Sequence, residues 1–294
     1  MCTVINQTKG YHLFGRTLDL SYTYGEEVVI TPKGYEFSLA HKGKVKTDIG
    51  IMGVAHVVGD TPLYYDAVSA CGLCMAALNF PHLAVYHHPV SDKHNVASFE
   101  LMVWILGQCK DMDTAIACLQ KTNITPDSFS PDLPPTPLHW MLSDRQTSVV
   151  IESTETGLNI YPNPTHVMTN APTFPEQLSS LDRAERAGDV SGDFLHFSST
   201  ARFIRGAYAN QNALLSHTPE GGVCRFFHVM DAVSQPMGCT TDPQGRPVCT
   251  QYTSCGDPVA MTYYVTTYEN RHVRFVQAQE EHLTAKALSR FSMT

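Results

Sequence analysis

Cys2 carries the most pointed chemistry in this chain. A small side chain after the initiator methionine permits removal of Met1, which leaves one residue with both a thiol and a free α-amine. Such an amine titrates at about 7.7–8.0 and such a thiol at about 8.5, so near neutrality the two can share a proton. The amine then serves as base for its own nucleophile, the logic of N-terminal nucleophile catalysis. A Met-Cys start read alone is equally well an inert buried thiol. The segment Gly15-Arg16-Thr17-Leu18-Asp19-Leu20 adds to it, with Arg16 and Asp19 three positions apart in a strand or turn. Blandly, they form a surface ion pair. Functionally, Asp19 holds the α-amine and Arg16 supplies the positive potential that favours thiolate.

Other chemistries find less support. The nine cysteines lie at 2, 71, 74, 109, 118, 224, 239, 249 and 255, an odd count in a chain with no basic, apolar leader. That argues against a disulfide framework and for a cytoplasmic protein. Cys71 and Cys74 form one C-x-x-C without a second pair, so two reduced thiols in or near a core strand are expected. The 14 histidines make no H-E-x-x-H or similar pair, and His82, His87 and His88 fall in an expected loop. No metal or other cofactor is expected. A net charge of −8 is a poor match for nucleic acid. No apolar run approaches the roughly 18 residues that span a bilayer, so membrane insertion is not expected.

These residues need elements to position them. A chain of 294 residues allows one large domain or two ordinary ones. No compositional break divides it, although Pro126 to Pro137 and Ala187 to Gly192 interrupt regular structure, so one domain over 1–294 is expected. The first ninety residues read as strands: Val28–Ile30, Tyr35–Leu39, Gly50–Val58 and Gly72–Phe80. Two helices follow, Ala97–Cys109 and one capped by Asp111 or Asp113 with Met112, Ala115, Ile116 and Leu119 on one face. Strands resume at Ser148–Ser153, Gly157–Tyr161 and His166–Thr169. Ser198 or Ser199 caps a helix through Leu215, and Val223, Phe226, Phe227, Met230 and Val233 mark another. Ala260–Thr267 and His272–Gln277 read as a hairpin. Two sheets sandwiched between helical layers accommodate this order.

The sequence resembles the choloylglycine hydrolase family, and within it the conjugated bile salt hydrolases. The blocks that carry the likeness run nearly end to end: MCT, FGRTLDLSYTYGEEVVITPKGY, PLYYDA, MAALNFP, ELMVWILGQC, PLHWMLSD, IYPNPTHVMTNAPTF, SSTARFIR and YTSC. The resemblance implies an α+β fold, the four-layer αββα sandwich of N-terminal nucleophile hydrolases. It implies an amidase that releases glycine or taurine from conjugated bile salts through a Cys2 thioester, without a cofactor. Matched position by position, Cys2 is the nucleophile, Arg16 and Asp19 the pair beside it, Asn79 and Asn170 the oxyanion contributors, and Arg202 the remaining catalytic arginine. Taken singly, Asn79 and Asn170 beside prolines are turn residues and Arg202 is a solvated helix residue. For the steroid, an apolar wall of Leu18, Tyr22, Tyr24, Phe129 and Leu133 is expected. A penicillin V acylase of the same family, which often carries Tyr in place of Asn79, and a non-catalytic binding protein on the same fold stand as alternatives.

Three departures from the family pattern stand out. The Thr173–Ser198 segment is shorter than its counterpart, which in relatives protrudes and braces a homotetramer. A homo-oligomer is therefore expected as a dimer, or as a tetramer that dissociates on dilution. The usual Gly-Leu-Pro-Gly-Asp run before Ser198 becomes Ser191-Gly192-Asp193-Phe194-Leu195-His196-Phe197, and Cys71 stands at a turn that is commonly polar.

Overall fold

Antiparallel hairpins with alternating burial build most of the chain. The computed structural model describes residues 1–188 and 196–293. Strands β1 (Cys2–Gln7), β2 (Leu13–Leu20), β3 (Glu27–Thr31), β4 (Glu36–Leu39), β5 (Gly43–Lys46), β6 (Ile51–Val58), β7 (Thr61–Ser69), β8 (Cys74–Asn79) and β9 (His94–Ala97) precede helices α1 (Leu101–Gln108) and α2 (Met112–Gln120). Strands β10 (Thr122–Thr125), β11 (Leu138–Ser143), β12 (Ser148–Thr154), β13 (Gly157–Pro162) and β14 (Val167–Met168) lead to helices α3 (Phe174–Arg186), α4 (Ser199–Asn212) and α5 (Pro219–Asp231). The chain ends with β15 (Thr240–Thr241), β16 (Pro247–Asp257), β17 (Thr262–Thr267), β18 (Arg274–Gln277), α6 (Glu280–Leu283) and β19 (Ser289–Ser292).

One sheet runs β14-β1-β2-β16-β17-β18, with β15 paired to β16; the other runs β13-β12-β11-β8-β7-β6-β3-β19. Alternation assigns their faces. Val28, Ile30, Met52 and Val54 turn towards Val4, Phe14 and Leu18 between the sheets. Val29, Ile51 and Met75 turn the other way, onto Leu101, Ile105 and Leu106 of α1. Phe203 of α4 and Phe226 of α5 cover the seven-stranded sheet. The layers are thus helix, sheet, sheet, helix, an α+β sandwich. Gly15 lets β16 approach β2 closely, since a Cβ there would lie 2.0 Å from the Ser254 carbonyl oxygen. No helix among the described residues is long and apolar enough to cross a membrane.

Several elements differ from the sequence expectation. The helix expected from Ala97 starts at Leu101, because Ala97 ends β9 and the Glu100 carboxylate accepts from the backbone N–H of Ala97 and Ala40. The helix expected to reach Leu215 stops at Asn212. There Arg225 of α5 donates to the carbonyls of Asn210 and Ala213, satisfying groups that another turn would have bonded. The run expected from Gly72 becomes a strand only at Cys74, after a turn in which Gly72 has a φ of +90°. Cys71 is exposed, and only Cys74 of the C-x-x-C is buried. Helix α3 was not anticipated: its buried side is just Phe174, Gln177 and Leu181, too sparse a stripe to read as a period. Strand β19 crosses back to pair with β3 in the far sheet, which no local pattern announces. Of the altered run before Ser198, residues 191–195 lie outside the described residues.

The β1–β2 hairpin is tied to the second sheet by side chains. Asn6 Nδ2 donates to the Asp144 carbonyl at 2.9 Å and to Ser148 Oγ at 3.2 Å, so its Oδ1 faces His12 Nε2 at 3.0 Å as acceptor. Burial, followed by the charge of Arg145, pushes the His12 pKa from 6.5 to about 4, against the pull of Asp144 and Asp257. Between these values the unfolded chain binds a proton that the folded chain refuses. Stability is therefore complete above about pH 6.5 and falls by up to about 3 kcal/mol as pH drops towards 4. His12→Gln should narrow the gap between urea midpoints measured at about pH 7 and about pH 4.5. An unchanged gap would assign the acid sensitivity elsewhere.

Candidate active site

Cys2 opens β1, and its backbone N–H donates to Asn170 Oδ1 at 2.7 Å. Met1 is present, so this nitrogen is a peptide nitrogen; the amine of Met1 donates to the Asp19 main-chain carbonyl at 2.6 Å. The Cys2 nitrogen thus faces Asn170, while the Asp19 carboxylate lies on the side of Arg202. The reason is the pleat of β2. Positions three apart on a strand point to opposite faces, so Arg16 and Asp19 do not pair. Arg16, Leu18 and Leu20 line a cavity shared with Cys2. Asp19 turns towards the helical layer with Thr17.

Neither residue is on the surface: Arg16 is 1% exposed and Asp19 0%. Arg16 spends its hydrogen bonds on carbonyls, donating from Nη1 to Ala77 at 2.6 Å and Tyr65 at 3.0 Å and from Nε to Thr17 at 3.2 Å. Burial works against its charge, yet Cys2, Tyr252, Asp66 and Asp19 outweigh burial and hold its pKa above the ordinary guanidinium value. The Asp19 carboxylate accepts from Thr250 Oγ1 at 2.7 Å, Gln235 Nε2 at 2.9 Å and Thr17 Oγ1 at 3.3 Å.

Arg202 projects from the first turn of α4 and is fully buried, not a solvated helix residue. Its guanidinium donates to the Cys2 carbonyl, to Thr3 Oγ1 at 2.7 Å, to Asn170 Oδ1 at 2.9 Å and to the Phe197 carbonyl at 3.1 Å. It stands 3.9 Å from Asp19 Oδ2. Burial lowers its pKa, with Asp19 and Cys2 pulling it back up. Two donors converging on Asn170 Oδ1 fix the orientation of that amide. Its Nδ2 therefore donates to the Asn79 carbonyl at 2.7 Å, leaving the second N–H of the group. Asn79 ends β8 with an exposed side chain on the cavity.

All five residues expected to form the apolar wall, Leu18, Tyr22, Tyr24, Phe129 and Leu133, line this cavity of about 260 Å³, together with Cys2, Arg16 and Asn79. Tyr22 and Tyr24 share a hydroxyl–hydroxyl bond of 2.8 Å, and Phe129 packs edge-on against Phe99. A larger cleft of about 410 Å³ between α3 and α4 is lined by charges of both signs, including Lys9, Asp182 and Arg225, and lies away from Cys2.

Several supporting residues received no role from the sequence. Asp66 is fully buried and accepts from Tyr252 at 2.7 Å, from Ser254 at 2.6 Å and from the Tyr263 hydroxyl. Burial raises its pKa, against Arg16 and those hydroxyls. Ser199 Oγ accepts from the Asn170 N–H at 2.9 Å, and Gln235 and Thr250 brace Asp19. Asp66 lies in the PLYYDA block and Ser254 in YTSC, but no spacing within either block pointed at Arg16. Among the described residues no cluster of His, Cys, Asp and Glu could hold a metal ion.

Replacing a buried cation while its acceptors remain costs about 3–5 kcal/mol. Arg202→Leu should show that loss in urea unfolding; a loss under about 1 kcal/mol would mean that Asp19 and Asn170 find other partners.

Residues 2–291 match the linear amide C–N hydrolases of the choloylglycine hydrolase family. The chain is 36% identical to a bile salt hydrolase/transferase of Lactiplantibacillus plantarum, over 98% of this chain and 95% of that one. It is 30% identical to a bile salt hydrolase/transferase of Bifidobacterium longum, over 93% and 94%. A crystal structure of a variant conjugated bile acid hydrolase from Clostridium perfringens superposes with a TM-score of 0.90 at 26% identity, over 99% and 96%. A penicillin V acylase from Agrobacterium tumefaciens shares the fold, with a TM-score of 0.80 at 21% identity over 99% and 91%.

Proposed function

The chain belongs to the choloylglycine hydrolase family of linear amide C–N hydrolases, and on that premise we propose that it cleaves the amide of glycine- or taurine-conjugated bile salts. It is an amide hydrolase; the substrate and the residue roles are our reading. The observation that carries this reading is Cys2 in an apolar-walled cavity with Arg16 beside it and its own nitrogen 2.7 Å from Asn170 Oδ1.

In the mature enzyme Met1 is removed and the Cys2 nitrogen becomes the α-amine. The amine takes the thiol proton, and the sulfur attacks the amide carbonyl carbon of the substrate. The carbonyl electron pair moves to oxygen, where Asn79 Nδ2 and the second N–H of Asn170 donate to it. In a well-studied case one such donor is worth roughly 10²–10³ in rate. As the C–N bond breaks, the α-ammonium passes its proton to the leaving nitrogen, and glycine or taurine departs. Water, deprotonated by the amine, then cleaves the thioester to free bile acid and thiol. Arg16 favours the thiolate from the cavity side, while Asp19 balances Arg202 from the helical side. Leu18, Tyr22, Tyr24, Phe129 and Leu133 receive the hydrocarbon of the steroid.

We read the chain as one domain, because side chains of both sheets share one core, and as a cytoplasmic enzyme, in keeping with its odd number of cysteines. We read the protein as a homodimer, or as a tetramer weakened by the short Thr173–Ser198 segment. A stable interface buries roughly 1,200–2,000 Å², and a trimmed brace removes part of that. Light scattering over a dilution series should show dimers at nanomolar concentration; an undissociated tetramer there would reject this assembly.

Incubation with glycocholate, taurocholate and penicillin V, with quantitation of each product, tests the function. Conjugated bile salts should turn over fastest, whereas preferential cleavage of penicillin V would select the other branch of the family. Cys2→Ala should abolish turnover and Cys2→Ser should leave only a trace, because a hydroxyl is a far weaker nucleophile at this pH. The intact mass of an active preparation should lack Met1. Full retention of Met1 with full activity would remove the α-amine from the mechanism.

A further inference from the structure

His139 lies outside the machinery described above, yet it touches both asparagine segments. It sits in β11, 1% exposed, beside a fully buried Glu152. Its Nε2 is 2.8 Å from the Thr169 carbonyl oxygen, its Nδ1 faces Glu152 Oε1 at 3.4 Å, and its ring stacks on Phe80 with centroids 4.3 Å apart and planes 7° apart. A carbonyl only accepts, so Nε2 carries a proton and donates it to Thr169.

These contacts close a ring. Phe80 directly follows Asn79, whose carbonyl receives Asn170 Nδ2 at 2.7 Å. Asn170 directly follows Thr169, whose carbonyl receives His139 Nε2. The imidazole therefore grips the Thr169–Asn170 peptide at its oxygen, while Ser199 Oγ grips the same peptide at its nitrogen. We propose that His139 is a positioning residue that sets the separation of Asn79 and Asn170, and through Asn170 Oδ1 the place of the Cys2 nitrogen. Glu152 aims the ring by facing Nδ1, and it is itself held by the Phe174 N–H at 2.9 Å. The kinetic consequence rests on the amidase reading; the mechanical role does not.

Two near-isosteric replacements separate the contacts. A Gln side-chain amide reaches about where Nε2 was and can keep the Thr169 bond; an Asn amide reaches about where Nδ1 was and keeps only Glu152. A displacement of about 1 Å at a reacting group can cost roughly 10²-fold in rate. His139→Asn should therefore lower kcat on glycocholate by about 10- to 100-fold with KM within about twofold, and His139→Gln should stay within about threefold of wild type. Hydrogen exchange of peptides covering 76–82 and 166–172 should quicken in His139→Asn and not in His139→Gln. If the two variants lose activity equally and in step with their melting temperatures, or if His139→Asn keeps wild-type kcat and exchange, the proposal is overturned. Should His139→Asn fail to fold, Phe80→Leu removes the stacked ring and leaves both asparagines in place. It should lower kcat with KM unchanged, and an unaltered kcat would also overturn the proposal. A wild-type enzyme inactive on every conjugated bile salt would sink the substrate reading alone, because the exchange measurement still decides the role of His139.

Discussion

Arg202 is a buried cation, and satisfying it organises the whole site. An unpaired charge in a protein interior costs several kcal/mol, so its guanidinium must find acceptors wherever the chain can supply them. They come from β1 through Cys2 and Thr3, from the segment after β14 through Asn170, and from the approach to α4 through Phe197. Pairing of β14 with β1 already brings Asn170 close to Cys2, and Ser199 Oγ ties Asn170 to the start of α4; the guanidinium adds one point at which all three parts are bonded. Cys2, Asn170 and the N-terminus of α4 are thus held together by one side chain as well as by the strand pairing beneath it.

The second arginine solves a different problem. Arg16 is wrapped in carbonyls and has Asp66 and Asp19 near it without a direct ion pair. Carbonyls fix its position, while nearby carboxylates keep the charge tolerable inside the protein. That leaves the guanidinium on the cavity wall beside Cys2 with no bidentate carboxylate on it. The Tyr252, Ser254 and Tyr263 hydroxyls around Asp66 show how much polar structure lies behind one cavity-facing arginine. The cavity wall itself stays hydrocarbon and aromatic, so a large apolar substrate can be held while the polar chemistry is confined to its floor.

Much of this was legible in the sequence. Cys2 stands out as the candidate nucleophile because, beside the initiator methionine, thiol and amine chemistry can belong to one residue, and the family blocks then single it out. Four of the strands in the first ninety residues, and the α2 and α4 caps to within a choice of two residues each, are local patterns, and local patterns are visible in a string of residues; the fold then takes Asp111 and Ser198 as the caps. Leu18, Tyr22, Tyr24, Phe129 and Leu133, named for an apolar wall once the resemblance implied a steroid, do line the cavity that holds Cys2.

What tertiary structure alone decided concerns pairing across distance. Spacing suggested that Arg16 and Asp19 act together, but the pleat of β2 sends them to opposite faces and gives Asp19 to Arg202, Gln235 and Thr250 instead. The ring through His139, Phe80, Asn79 and Asn170 joins β8, β11 and the end of β14, and no spacing announces it. Helix α3 and strand β19 were silent because each draws its stability from surfaces supplied by remote segments. A residue's chemistry is carried by its own atoms, so the sequence by itself determined which groups were present. The choice of partner depends on which faces meet once the two sheets close, and that is a property of the folded chain.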